Sequence, residues 1–295
     1  MSDAAPGTFA LGGDLTVDRI GFGAMRLARN GMGDTATRDP QTARAVLRRA
    51  AELGVDHIDT ADFYRSPDGT VRANDLIRQA LFPYPAGLVI ATKVGPVFGP
   101  EGPTQGTAAD LRPAVEANLE ALGIDRLDLV YLRIGWRVPP RGESLSERFE
   151  VLAALREQGL IRHLGLSNVD QAHLTQAQGI APVVAIQNLF DPANAAEAAL
   201  AERAAAEQIA FVPFGPLGRG RGSERDERYA AVARRHDATA AQVALAHVLA
   251  LSPNVLAIPR YRIARAPGRE HGRPLARPYA RRHGGPGLTA TAASR

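Results

Sequence analysis

Asp59, Tyr64 and Lys93 are the residues of this 295-residue chain whose types suit acid–base chemistry on a carbonyl. A free phenol, with a pKa of ~10, is a poor proton donor to a carbonyl that has just received hydride. A nearby ammonium stabilises the phenolate and lowers that pKa, and a carboxylate keeps the lysine charged and oriented. Tyr64 is the expected general acid, with Lys93 and Asp59 as its tuning pair. Composition singles out the lysine, because the chain has 34 arginines and only one lysine. A bias toward GC-rich codons replaces lysine by arginine wherever only a positive charge matters. A position that resists the swap needs a compact ammonium rather than a rigid fork.

Other chemistries find less support. There is no cysteine, which excludes disulfides, thiol nucleophiles and thiolate metal sites. The seven histidines are scattered, no H-E-x-x-H spacing occurs, and no metal is expected. A Ser-His-Asp triad would have no nucleophile elbow to stand on. The sequence pI of 9.8 suggests an acidic partner. Yet nine arginines and one acid fall in residues 260–295, leaving 26 bases and 30 acids in residues 1–259. The basicity belongs to the tail, and neither aromatic stacking pattern nor nucleic-acid module accompanies it, so no nucleic-acid partner is expected. The segment Met-Ser-Asp-Ala-Ala-Pro-Gly lacks the features of a signal peptide, and no apolar run approaches a membrane span. The expected compartment is the cytoplasm, without a membrane partner.

The elements that must position these groups alternate along the chain. A hairpin candidate, Thr8–Ala10 with Leu15–Val17, comes first. Eight short apolar runs follow: Arg19–Gly23, His57–Thr60, Leu88–Thr92, Asp128–Arg133, His163–Leu166, Val183–Gln187, Ala210–Phe214 and Val255–Pro259. Between them lie stretches with apolar residues at i, i+3 and i+4, among them Thr42–Leu53, Ala108–Leu122, Leu145–Gln158, Asn194–Glu207 and Thr239–Leu251. Eight strands separated by helical crossovers predict a parallel α/β sheet closed into a (β/α)8 TIM barrel. An open doubly wound sheet is the alternative, weakened because Gly21-Phe22-Gly23-Ala24-Met25-Arg26 lacks the third glycine of G-x-G-x-x-G. The expected barrel domain is 1–259. The Arg/Pro/Gly-rich segment 260–295 has no helical periodicity and is expected to be disordered, where an eighth outer helix belongs.

Polar residues then fall where barrel strands end: Asp59, Lys93, Arg133, Ser167-Asn168 and Gln187-Asn188, with Phe214 at the seventh. The C-terminal rim is where barrel enzymes assemble their sites. Singly, each has an ordinary explanation as a turn cap or rim packing, but together they converge on one mouth.

The segments Ile58-Asp59-Thr60-Ala61-Asp62-Phe63-Tyr64, Ala91-Thr92-Lys93-Val94-Gly95, Leu164-Gly165-Leu166-Ser167-Asn168 and Val212-Pro213-Phe214-Gly215-Pro216-Leu217-Gly218 resemble the aldo-keto reductase family. So does Thr239-Ala240-Ala241-Gln242-Val243-Ala244-Leu245-Ala246, and the resemblance runs from about Gly7 to Pro259. It implies an NADP(H)-dependent enzyme reducing a small-molecule aldehyde or ketone, with the cofactor extended across the rim. The resemblance further implies that Ser167, Asn168 and Gln187 hold the nicotinamide carboxamide. Phe214 would stack on its ring, and Gly23, Ala24 and Met25 would line the approach. Asp59, Pro216, Leu217 and Gly218 complete the implied cofactor set. The alternative is a regulatory or redox-sensing protein that binds NADP(H) with little turnover, which the intact Asp59–Tyr64–Lys93 set disfavours.

Two departures stand out. Most members carry histidine after a leucine at the end of the fourth strand, where this chain has Leu132-Arg133. Asp128-Leu129-Val130-Tyr131-Leu132-Arg133 looks like a bacterial subgroup similar to pyridoxal reductases, which makes pyridoxal the best single substrate expectation and Arg133 the fourth catalytic residue. Arginine there polarises a carbonyl or pairs with an anionic group but does not shuttle protons. After Pro259 the family's next turn and helix, which hold the adenosine 2′-phosphate, are not readable. A permitted back-translation of Arg260–Gly272, shifted forward by one nucleotide, encodes Gly-Thr-Ala-Ser-Pro-Ala-His-Leu-Glu-Glu-Asn-Met, essentially the missing motif. A frameshift near Arg260 is the expected cause, leaving an impaired product as a further alternative.

Overall fold

The computed structural model describes residues 7–29, 36–99, 102–135, 142–190, 195–214 and 224–259. The tail 260–295, with the disorder and the lost eighth helix expected of it, lies outside the described residues.

Strands β1 (Thr8–Leu11) and β2 (Leu15–Asp18) form an antiparallel hairpin ahead of the barrel. The parallel sheet comprises β3 (Phe22–Gly23), β4 (His57–Asp59), β5 (Val89–Val94), β8 (Leu127–Arg133), β9 (Ile161–Ser167), β10 (Val183–Gln187) and β11 (Ala210–Phe211). A second hairpin, β6 (Pro96–Gly99) with β7 (Gly102–Gln105), stands directly after β5. The expected eighth strand is present as single parallel bridges, Phe211↔Val255 and Ile20↔Ala257. Hydrogen bonds from Leu256 to Phe211 and from Gly21 to Ala257, at 2.9 and 2.8 Å, close the ring on both sides. The sheet is therefore a closed eight-membered barrel.

The helices are α1 (Pro40–Glu52), α2 (Ala73–Leu81), α3 (Ala108–Leu122), α4 (Ser146–Glu157), α5 (Gln171–Gln178), α6 (Ala195–Ala206), α7 (Glu224–Arg235) and α8 (Ala240–Ala250). Their starts follow local chemistry. Asp39 accepts from the Gln41 and Thr42 amides with Pro40 at the first helical position, while Thr107 with Asp110 and Thr239 with Gln242 form capping boxes.

Strand alternation divides the apolar residues into two cores. Val89, Ala91, Leu129, Tyr131, Ala185, Ala210, Val212 and Leu256 point inward and meet Leu11 and Val17 of the first hairpin, which plugs the barrel. Ile90, Val94, Val130, Leu132, Leu164, Leu166 and Ile186 point outward against the helices. The same parity turns Lys93 and Arg133 inward at the top of their strands. Thr60 and Thr92 belong to the outward set, and both join a buried relay to the helices. Thr60 donates to Asn74 of α2 at 2.7 Å, Asn74 to Asn118 of α3 at 2.8 Å, and Thr92 to Asn118 at 2.7 Å. This relay holds the two strands bearing Asp59 and Lys93 in place from outside.

Candidate active site

Parallel register sets the rim. Gly23 pairs with Asp59, Lys93 with Tyr131, Arg133 with Ser167, and Ser167 with Gln187. Side chains 34 to 128 residues apart in sequence thus reach one another. Lys93 is 1% exposed; its Nζ donates to Asp59 Oδ1 at 2.7 Å and to the Thr60 carbonyl at 2.8 Å. The other Asp59 oxygen accepts from the Gln187 amide at 2.6 Å. The ammonium also lies 4.9 Å from the Tyr64 ring centroid and 5.9 Å from that of Tyr131. Asp59, Tyr64 and Lys93 are therefore one contiguous cluster, and the pair at its centre is shielded from water, where charge interactions are strong.

Electrostatics in the cluster are opposed. Burial pushes the Tyr64 phenol up; Lys93 and Arg133 pull it down, and Asp59 adds to the rise. Burial wins. The tuning role expected of Lys93 is present as one of the downward pulls, and the net direction is upward. Tyr131, fully inside the barrel, is raised much further, by burial and then by Asp59, while a hydrogen bond with Gln187 works against both.

Arg133 donates from Nη1 to the Ser167 hydroxyl at 3.0 Å, and its guanidinium carbon sits 5.3 Å from the Phe214 ring centroid. Burial presses its pKa down, opposed by Tyr64 and Asp59. Gly95 makes this corner possible. Its φ is 128°, and a Cβ there would lie 2.4 Å from the Arg133 carbonyl oxygen, so no other residue lets β5 turn into β6 beside the end of β8.

The expected nicotinamide set is gathered at the same rim. Asn168 has φ 62° and donates to the Ile134 carbonyl at 2.6 Å, while its amide oxygen is buried and accepts no hydrogen bond among the described residues. A buried acceptor without a donor is costly, and a carboxamide N–H is the donor it suits. Ser167 is fully buried and holds Arg133, and Gln187 spends its N–H on Asp59. The residues present fit a nicotinamide, with Asn168 offering the open hydrogen-bonding position. Gly23 and Ala24 lie at the end of β3, with Met25 in the following 3-10 turn. Pro216, Leu217 and Gly218 lie outside the described residues.

Two residues at the site were missed in the sequence. Tyr131 follows the inward parity of β8 and could have been found by counting two back from Arg133. Asp62 was read only as part of a motif. Its Oδ1 is buried and without a hydrogen-bond partner among the described residues, and nothing in the local sequence signals that.

Comparison with known proteins gives a consistent picture. The aldo/keto reductase family profile matches residues 19–265. Pyridoxine 4-dehydrogenase of Escherichia coli is 42% identical over 264 residues, covering 85% of this chain and 87% of that protein. An uncharacterized oxidoreductase of Schizosaccharomyces pombe is 38% identical over 252 residues, covering 84% of this chain and 78% of that one. Among solved structures, an aldo-keto reductase from Klebsiella pneumoniae in complex with NADPH superimposes with a TM-score of 0.68 at 26% identity, covering 88% of this chain and 86% of that chain.

Proposed function

Because this chain belongs to the aldo/keto reductase family, we propose that it reduces an aromatic aldehyde of the pyridoxal type with NADPH, using Tyr64 as proton donor. The observation that carries this reading is the buried Lys93–Asp59 pair at 2.7 Å, with its ammonium over the Tyr64 ring. Asn168, Ser167 and Gln187 would hold the carboxamide, and Phe214 would lie against the ring. When bound, the cofactor supplies hydride to the carbonyl carbon. Tyr64 donates its proton to the carbonyl oxygen, and Lys93 and Arg133 stabilise the negative charge that develops there. Asp59 keeps Lys93 charged and fixed in position. A regulatory NADP(H)-binding role without turnover leaves the buried ion pair unexplained. Consumption of NADPH in the presence of pyridoxal tests the proposal, and its absence with pyridoxal and with neutral aromatic aldehydes alike would sink it.

Arg133 has a further role in this reading. Its Nη1 is anchored to Ser167 and its guanidinium lies at the mouth beside Phe214, so it is placed to meet a phenolic or anionic oxygen beside the carbonyl, bidentately. Arg133→His is expected to lower kcat/KM for pyridoxal about tenfold or more while changing that for benzaldehyde much less. Equal losses on both substrates would show that Arg133 does not read the substrate.

The segment after Pro259 bears on the cofactor. We assign it to an out-of-frame reading, supported by the family match ending at residue 265 of 295. The shifted frame would supply the turn and helix that face the 2′-phosphate. Restoring the frame at codon 260 is expected to raise the melting temperature and tighten NADPH binding together, with a gain in preference over NADH. Calorimetry and cofactor titration check this. Tight, NADPH-selective binding by the chain as it stands, at physiological salt, would overturn it.

A further inference from the structure

We propose that Tyr131 is a positioning residue: it holds the Gln187 amide with its nitrogen toward Asp59 and its oxygen toward the nicotinamide carboxamide. The proposal rests on the reading of this rim as the NADPH site. A glutamine side chain turns about three bonds, and its amide reads a ligand only when its plane is fixed beforehand. The hydrogen bond to Asp59 Oδ2, at 2.6 Å, leaves that plane free to swing about it. A second bond from the same NH2 stops the swing.

Tyr131 reaches Gln187 across β9. It is buried inside the barrel, in register with Lys93 of β5 on one side and with Gly165 of β9 on the other. Gly165 in turn pairs with Ala185, two residues before Gln187 on β10. At this level β9 presents no side chain. A Cβ on Gly165 would lie 2.7 Å from Tyr131 Cδ1 and 2.9 Å from its Cε1, so the ring lies over the glycine, between β8 and β10. The Lys93 ammonium stands on the β5 side, 5.9 Å from the ring centroid. At the far end of the ring, the hydroxyl is hydrogen-bonded with the Gln187 side chain.

That bond pulls the phenol down. An N–H donated to a phenol oxygen acts in this direction because it stabilises the phenolate, whereas accepting the phenolic proton would do the opposite. Gln187 is therefore the donor. Its two N–H bonds go to Asp59 Oδ2 and to Tyr131, and its carbonyl oxygen is the atom left for a ligand. A carboxamide NH2 carries two donors. Asn168 Oδ1, buried and accepting no hydrogen bond among the described residues, suits one of them, and the Gln187 oxygen suits the other. Tyr131 is no second acid. Burial and Asp59 raise its phenol well above the usual range, so it keeps its proton while Tyr64 reacts.

Tyr131→Phe removes the hydroxyl and leaves the ring over Gly165. Calorimetric titration of the full chain with NADPH, and with its reduced 3-acetylpyridine analogue, reads the contact, because a methyl replaces the carboxamide NH2 in the analogue. Wild type should prefer NADPH by about tenfold or more, and Tyr131→Phe should lower that preference about fivefold, the contribution of one hydrogen bond. Gln187→Met should lower it at least as far. Tyr131 acts through Gln187, so the double variant should match Gln187→Met alone. The melting temperature of Tyr131→Phe should stay within a few degrees of wild type. An unchanged preference in Tyr131→Phe overturns the proposal, as does a double variant that loses the sum of the two effects. Equal weakening of both dinucleotides, or a large fall in melting temperature, also overturns it, since Tyr131 would then be a packing residue. Wild type that binds neither dinucleotide, or both alike, removes the carboxamide reading of the rim and this one together. A preference present in wild type and intact in Tyr131→Phe removes this one alone.

Discussion

Replacing Tyr64 by phenylalanine lowers kcat for carbonyl reduction by about 10²–10⁴-fold, the range over which a positioned proton donor contributes, and leaves NADPH affinity within about twofold. The ring stays: Tyr64 meets Phe63 edge-on at 5.3 Å between centroids and lies under the Lys93 ammonium, and phenylalanine preserves both contacts. Only the hydroxyl is lost. The hydroxyl's hydrogen bond with Lys93 goes with it, but the ammonium keeps Asp59 and the Thr60 carbonyl, so the fold is expected to persist. Stopped-flow NADPH consumption and cofactor titration on the same preparation separate the two effects. Turnover within a few-fold of wild type would remove Tyr64 from the mechanism.

The second large effect falls on Lys93. Lys93→Met removes one partner of a buried ion pair and leaves the Asp59 carboxylate with the Gln187 amide as its remaining side-chain donor. Breaking such a pair costs about 3–5 kcal/mol, roughly a 5–15 °C fall in melting temperature for a chain of this size. Activity should fall at least ~100-fold, because the downward pull on the phenol goes with the charge. Adding Asp59→Asn should recover much of the stability without recovering activity, and a double-mutant cycle measures that coupling. Lys93→Arg is the sharper variant. It keeps the charge, but a forked guanidinium does not fit between rings whose centroids lie 4.9 and 5.9 Å from the ammonium. A near-normal Lys93→Arg would show that charge alone is required, and the single lysine would then carry no meaning.

The barrel was legible because parity and periodicity are local. Val183–Gln187 is observed with the predicted ends, and the capping box at Thr107 sets Ala108–Leu122 where the apolar spacing places it. The seventh strand is shorter than predicted, Ala210–Phe211 rather than Ala210–Phe214, and the eighth is reduced to bridges at Val255 and Ala257. A short apolar run states which side chains go inward; how many ladder bonds form depends on the neighbouring strand. The hairpin Pro96–Gly99 with Gly102–Gln105 went unread because its proline and glycines signal a loop. Lys93 was legible by type, since one lysine among arginines is visible in composition. Asp62 was not, because an aspartate in a turn looks the same in sequence whether its carboxyl meets water or is buried without a partner.

The joint between β3 and residues 255–259 sets a timetable for synthesis. Gly23 donates to the Pro259 carbonyl at 3.0 Å, a Cβ on it would lie 2.6 Å from the Ile258 oxygen, and the Arg19 guanidinium reaches the Leu249, Ser252 and Val255 carbonyls. Those partners are more than 200 residues apart. On the ribosome the first strand must wait, unpaired on one edge, until nearly nine-tenths of the chain has been made. The nascent protein is an open trough for most of its birth, and its exposed edges are where a chaperone would hold it.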